Sequence, residues 1–117
     1  MVRYMTHEYR DFLPSGERLV AYDIDMGGDY WFLTHQAIYI LATPSKSNAR
    51  LGREQTSRIP LSGVLALSVN DKGTFMERIL HTEDASGERD AITGWYDNRK
   101  IGAWFDARVR TALEAVR

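Results

Sequence analysis

The chain has no cysteine, three prolines among 117 residues, and almost no net charge, with 15 Lys and Arg against 16 Asp and Glu. The missing thiols exclude disulfides, thiolate nucleophiles and the common structural zinc cages, leaving histidine and carboxylates as the only metal ligands. They also fit a reducing compartment, and a cytoplasmic location is expected. A formal charge of -1 provides no global field to gather nucleic acid or an anionic membrane, so any anion site must be local. No apolar run approaches the ~20 residues of a membrane span. The first ten residues mix Arg3, His7, Glu8 and Arg10 with few apolar side chains and lack the apolar region of a secretory signal.

Motif chemistry is sparse as well. His7, His35 and His81 stand far apart, outside any H-x-x-x-H or H-E-x-x-H spacing. No G-x-S-x-G elbow frames a serine, and Gly27-Gly28 does not open a helix as a phosphate-cradling loop does. Asp23, Asp25 and Asp29 lack EF-hand spacing, and turn chemistry and solubility account for them more simply than a divalent cation does. Neither an enzyme, a cofactor nor a metal is expected.

What is present is alternation followed by one long amphipathic stretch. Residues 1–16 read as a lead-in, with a short helix expected over Thr6 to Leu13 before Pro14, Ser15 and Gly16 stop it. Period-two patterning then predicts strands over Glu17 to Met26, Tyr30 to Thr34, Ala37 to Ala42, Arg58 to Pro60, Gly63 to Asn70, Thr74 to Thr82 and Arg89 to Trp95. In the first, Val20, Tyr22, Ile24 and Met26 alternate against Leu19, Ala21, Asp23 and Asp25. In the fifth, Leu65, Leu67 and Val69 share one face. Thr43 to Gln55 lacks periodicity and reads as a long loop, and Pro60 belongs at an edge or strand end because it cannot donate to a ladder.

The closing stretch, residues 97–117, is a helix on a wheel of about 100° per residue. Ile101, Phe105, Val109, Ala112, Leu113 and Val116 form its core stripe with Gly102 at the edge, and Asp97 is placed to cap it. Asp106 to Arg110 and Arg110 to Glu114 are opposite-sign i,i+4 pairs and read as solvent face. Seven short strands and one helix predict a mainly β single domain over 1–117: a seven-stranded antiparallel sandwich or barrel, 17–96, closed by a C-terminal helix.

The order of four strings carries a resemblance. LPSGE at Leu13 to Glu17, WFLTHQAIYI at Trp31 to Ile40, RIPLSGVLALSV at Arg58 to Val69 and DNRKIGAWFDARV at Asp97 to Val109 together resemble the bacterial pleckstrin-homology-like domains. The resemblance implies a non-enzymatic binding or scaffolding module for protein, including copies of itself. Phosphoinositide-binding members use Lys and Arg on the connection between the first two strands. Here that connection is Asp25-Met26-Gly27-Gly28-Asp29, two carboxylates and no base, which argues against that mode. Two candidate sites remain from the residues themselves. Trp104 flanks the core stripe, suited either to rim packing or to a partner contact along exposed strand edges. Lys46, Arg50 and Arg53, with Arg58 beyond them, offer an alternative: a local site for nucleic acid or a lipid headgroup, without interleaved aromatics for base stacking.

Overall fold

The computed structural model describes residues 13–14, 16–42 and 55–117. The expected helix over Thr6 to Leu13 and the loop after Ala42 lie almost wholly outside these residues. Among the described residues, seven strands and one helix follow in order: β1 (Leu19–Ile24), β2 (Tyr30–Thr34), β3 (Ala37–Ala42), β4 (Gln55–Pro60), a 3-10 turn (Leu61–Gly63), β5 (Val64–Asp71), β6 (Met76–Glu83), β7 (Arg89–Tyr96) and α1 (Arg99–Ala115). Every pairing is antiparallel. One sheet runs β1-β2-β3-β4 and the other β5-β6-β7, so each is a simple meander. No helix among the described residues is long and apolar enough to cross a membrane.

Turn chemistry sets where strands stop. Gly73 and Gly87 take positive φ, +93° and +86°, where a side chain is strained. The carboxylates of Asp71 and Asp84 accept from backbone N–H groups within the same turns. β4 runs longer than the sequence suggests, and Pro60 ends it opposite Ala37. Between the sheets, the Met26 N–H donates to the Trp95 carbonyl at 2.6 Å, tying the end of β1 to the end of β7.

The main core lies between the two sheets and under α1. Trp31 and Leu33 from β2, Ile38 and Ile40 from β3, Leu67 and Leu80 from the second sheet, and Phe105, Val109 and Leu113 from α1 close it. Phe105 meets Trp31 edge-on with ring centroids 6.4 Å apart. The far face of the four-stranded sheet also carries apolar side chains: Phe32, Ala37, Tyr39 and Leu41 are buried there, with Leu19, Tyr22 and Tyr30 packed against them.

Four sequence expectations need correction. Asn98, not Asp97, caps α1, because its Oδ1 is the group within reach of the Ile101 N–H, at 3.2 Å. Ile101 and Val116 leave the core stripe at 37% and 50% exposure, Val116 because it follows the last helical residue. In β5 a register shift between Val64 and Ala66 breaks the alternation, so Leu65 turns outward while Val64 and Leu67 are buried. Asp106 is only 2% exposed and faces the core instead of solvent.

Two glycines set how closely the layers approach. A Cβ on Gly94 would lie 2.7 Å from the Trp31 ring, and one on Gly102 would lie 2.1 Å from Tyr96. In an open helix alanine is favoured over glycine by ~1 kcal/mol. Gly102→Ala is nonetheless expected to destabilise the fold by ~1–3 kcal/mol through overpacking, read as a lower midpoint in chemical denaturation. A raised midpoint would show that α1 does not sit on Tyr96.

Candidate interaction surface

The helix is held in one rotation by a buried cation. Arg78, on the inward face of β6 beside Leu80, has no solvent exposure. Its Nη2 donates to Asp23 of β1 at 2.8 Å and to the Gly102 carbonyl of α1 at 3.3 Å, and its Nε donates to Asp106 of α1. The Tyr96 hydroxyl donates to the other Asp106 oxygen at 2.6 Å. Rings of Trp31, Tyr96 and Phe105 lie 5.0, 4.7 and 4.6 Å from the guanidinium carbon, so π faces surround a group whose Nη1 has no hydrogen-bond partner among the described residues. Strands from both sheets and the helix therefore share one charge cluster. Asp25 is buried nearby and accepts from Trp31 Nε1 at 3.1 Å. Solubility thus explains neither Asp23 nor Asp25.

A second polar cluster closes the other end of the first sheet. Glu17, just before β1, accepts from Thr34 at 2.8 Å and from the Tyr39 hydroxyl, and pairs with Arg58 at 3.3 Å. Arg58 also donates to the Tyr39 oxygen at 2.9 Å. Its positive charge is thus already matched by an internal carboxylate. Lys46, Arg50 and Arg53 fall outside the described residues. Arg58 borders an open cleft of about 410 Å³ whose opposite wall carries Glu83 and Asp84, so the cleft presents charge of both signs.

The free edge of β5 is covered. Arg117 donates to the Val64 and Leu65 carbonyls at 2.9 and 2.6 Å, and Arg110 reaches the Leu67 carbonyl at 3.5 Å. Strand addition along this edge would have to displace both arginines. Trp104 lies on another flank of α1. It is 38% exposed and meets the Tyr22 ring edge-on at 5.9 Å. Ile101, one turn earlier, and Ile24, two residues from Tyr22 on β1, are exposed to the same degree. These four side chains form an apolar ridge where β1 meets the helix.

No family model matches the chain, and no curated protein matches it. A solved structure does: the crystal structure of a DUF1696 family protein with a pleckstrin-homology domain from Shewanella loihica PV-4 matches with a TM-score of 0.68 over 97% of each chain, at 12% identity. The fold is pleckstrin-homology-like. Within this pleckstrin-homology-like fold, Trp104 stands on the flank that the helical wheel gives it and Arg58 is held by Glu17, while Arg78, Asp106 and Asp23 form a buried cluster that the sequence pattern does not single out. A usable signal was present, because Arg78 shares strand parity with Leu80 and Asp106 sits one turn after Gly102.

The Arg78 cluster sets a pH dependence. Burial pushes the Asp23 carboxyl above its ordinary 3.8, outweighing the pull of Arg78, and the Asp106 charge adds to the push. One guanidinium facing two carboxylates in a dry core leaves a net negative charge that a proton on Asp23 removes. A carboxyl raised by folding contributes stability that is complete below its unfolded pKa and is lost as pH rises through its folded one. Glu17 runs the other way. Burial pushes it up, but hydrogen bonds from Tyr39 and Thr34 and the Arg58 charge outweigh that and hold it low, so its contribution is lost as pH falls. Asp23→Asn, neutral at every pH and still an acceptor for Arg78, is expected to abolish the decline in unfolding free energy above pH ~4 while leaving the acid limb in place. Urea titrations across pH check this, and an unchanged upper limb would assign that slope to another group.

Proposed function

We propose that the chain is a non-enzymatic binding module that docks a protein partner on the Trp104 ridge. The observation that carries this reading is a tryptophan left more than one-third exposed on a helix whose opposite side is core, propped edge-on by Tyr22, with Ile24 and Ile101 exposed on the same two elements. Large aromatics backed by rigid packing are where interface energy concentrates, and ordering such a side chain on binding costs little entropy. The support is local, since pleckstrin-homology-like folds do not fix function. A catalytic reading has less behind it. Ser68 Oγ lies 3.0 Å from His81 Nε2 on the outer face of the second sheet, but no carboxylate among the described residues orients the imidazole.

The ridge also bears on self-association. Two copies meeting through it would bring Lys100 and Arg108 of each against those of the other, so an unlike partner is favoured. A photoreactive residue at Ala103, beside Trp104, is expected to give discrete protein adducts in cells that a probe at Asp90 on β7 does not. Trp104→Ala in the Ala103 probe is expected to remove them while costing ~2–4 kcal/mol of stability, from the buried part of the ring and its aromatic contact together, so the fold of this variant is checked by its denaturation midpoint. Equal adducts from both positions, or adducts that survive Trp104→Ala, would refute the docking surface.

A further inference from the structure

The ionic partners of the described cations single out the same place. Arg58, Lys72, Arg78, Arg89 and Arg99 pair with carboxylates, and Arg110 and Arg117 donate to β5 carbonyls. Among the described residues, Arg18, Lys100 and Arg108 have neither kind of partner. Two of these three stand one turn before and one turn after Trp104 on its own flank of α1, and both are exposed. On the helix beyond Trp104 the first exposed acid is Glu114, about 15 Å further along the axis. Lys100 and Arg108 thus place one unpaired cation on each side of the apolar centre, with the exposed Asp97 lying three residues before Lys100.

Resting on the reading of Trp104 as a docking surface, we infer that the partner segment is acidic, an amphipathic helix with two carboxylates spanning one apolar side chain. Lys100 and Arg108 are eight residues apart, which is about 12 Å along the axis. Carboxylates seven or eight residues apart on a partner helix match that spacing and share one face. An apolar residue between them would cover Trp104, excluding water from the flanking ion pairs and strengthening them. An anionic membrane is the weaker fit. Two cations attract an acidic bilayer by only about 1 kcal/mol each, and the chain carries no net positive charge to add to this.

The test uses three fluorescein-labelled helical peptides of one design, differing only at the two flanking positions: Glu, Gln or Lys. Anisotropy is read against the wild-type chain, Trp104→Ala and the double variant Lys100→Glu/Arg108→Glu. Wild type is expected to bind the Glu peptide at least tenfold more tightly than the Gln peptide, with the gap closing as salt rises. The double variant is expected to prefer the Lys peptide, and Trp104→Ala to weaken all three. Equal binding of the Glu and Gln peptides, still weakened by Trp104→Ala, would overturn the acidic partner while leaving the docking surface. Binding that Trp104→Ala does not change would overturn both. Vesicles containing phosphatidylserine form the last arm: binding that needs Trp104, Lys100 and Arg108, with no preference among the peptides, would replace the acidic segment with a membrane.

Discussion

A guanidinium without any contact to water sits where the two sheets and the helix meet, and the rest of the fold is arranged to make that tolerable. Arg78 must be surrounded by acceptors, because an unpaired buried charge costs several kcal/mol even after relaxation. Asp23 and Asp106 supply charge from β1 and α1, the Gly102 carbonyl supplies a third acceptor, and three rings supply their π faces. Such a cluster is a weak source of net stability, since well-packed apolar groups of similar volume often do as well. What it provides is geometry, because only one rotation of α1 presents Asp106 and the Gly102 carbonyl to Arg78 together.

That rotation determines what faces out. With Phe105, Asp106 and Val109 turned inward, the 3.6-residue period leaves Trp104 on the flank beside β1, where Tyr22 supports it. It also carries Arg110 and Arg117 to the β5 edge, where they occupy carbonyls that would otherwise invite another strand. The route from the buried charge to the exposed ridge is short. Asp106 and Trp104 are two residues apart and face nearly opposite ways.

Much of the architecture was legible in the sequence because it rests on local rules. β2 and β3 fall where alternation and the His35-Gln36 connection put them, and the Gly-containing turns bound β5, β6 and β7. What escaped was non-local. Asp106 looked like solvent face because Arg110 follows it by one turn, and only Arg78, 28 residues away in sequence, makes it a core residue. Arg58 reads as available from its local sequence, but Glu17, 41 residues distant, holds it. On β5 only Leu65 leaves the face that alternation gives it with Leu67 and Val69, because a register shift between Val64 and Ala66 interrupts the alternation there. Trp104 stands on the flank that the helical wheel predicts, whereas the cations around it are distinguished only by the pairing of the others, which is non-local.

Hydrogen exchange at the Arg78 Nε–H, followed by NMR beside that of the exposed Arg108, reports most directly on whether a buried cation sets the helix. Donating to Asp106 inside the core, this proton should exchange only through openings that release α1, orders of magnitude more slowly than Arg108 and in step with the amides of β6. Exchange of Arg78 at the Arg108 rate, with the β6 amides still protected, would mean that the guanidinium is not locked and that something else fixes the helix.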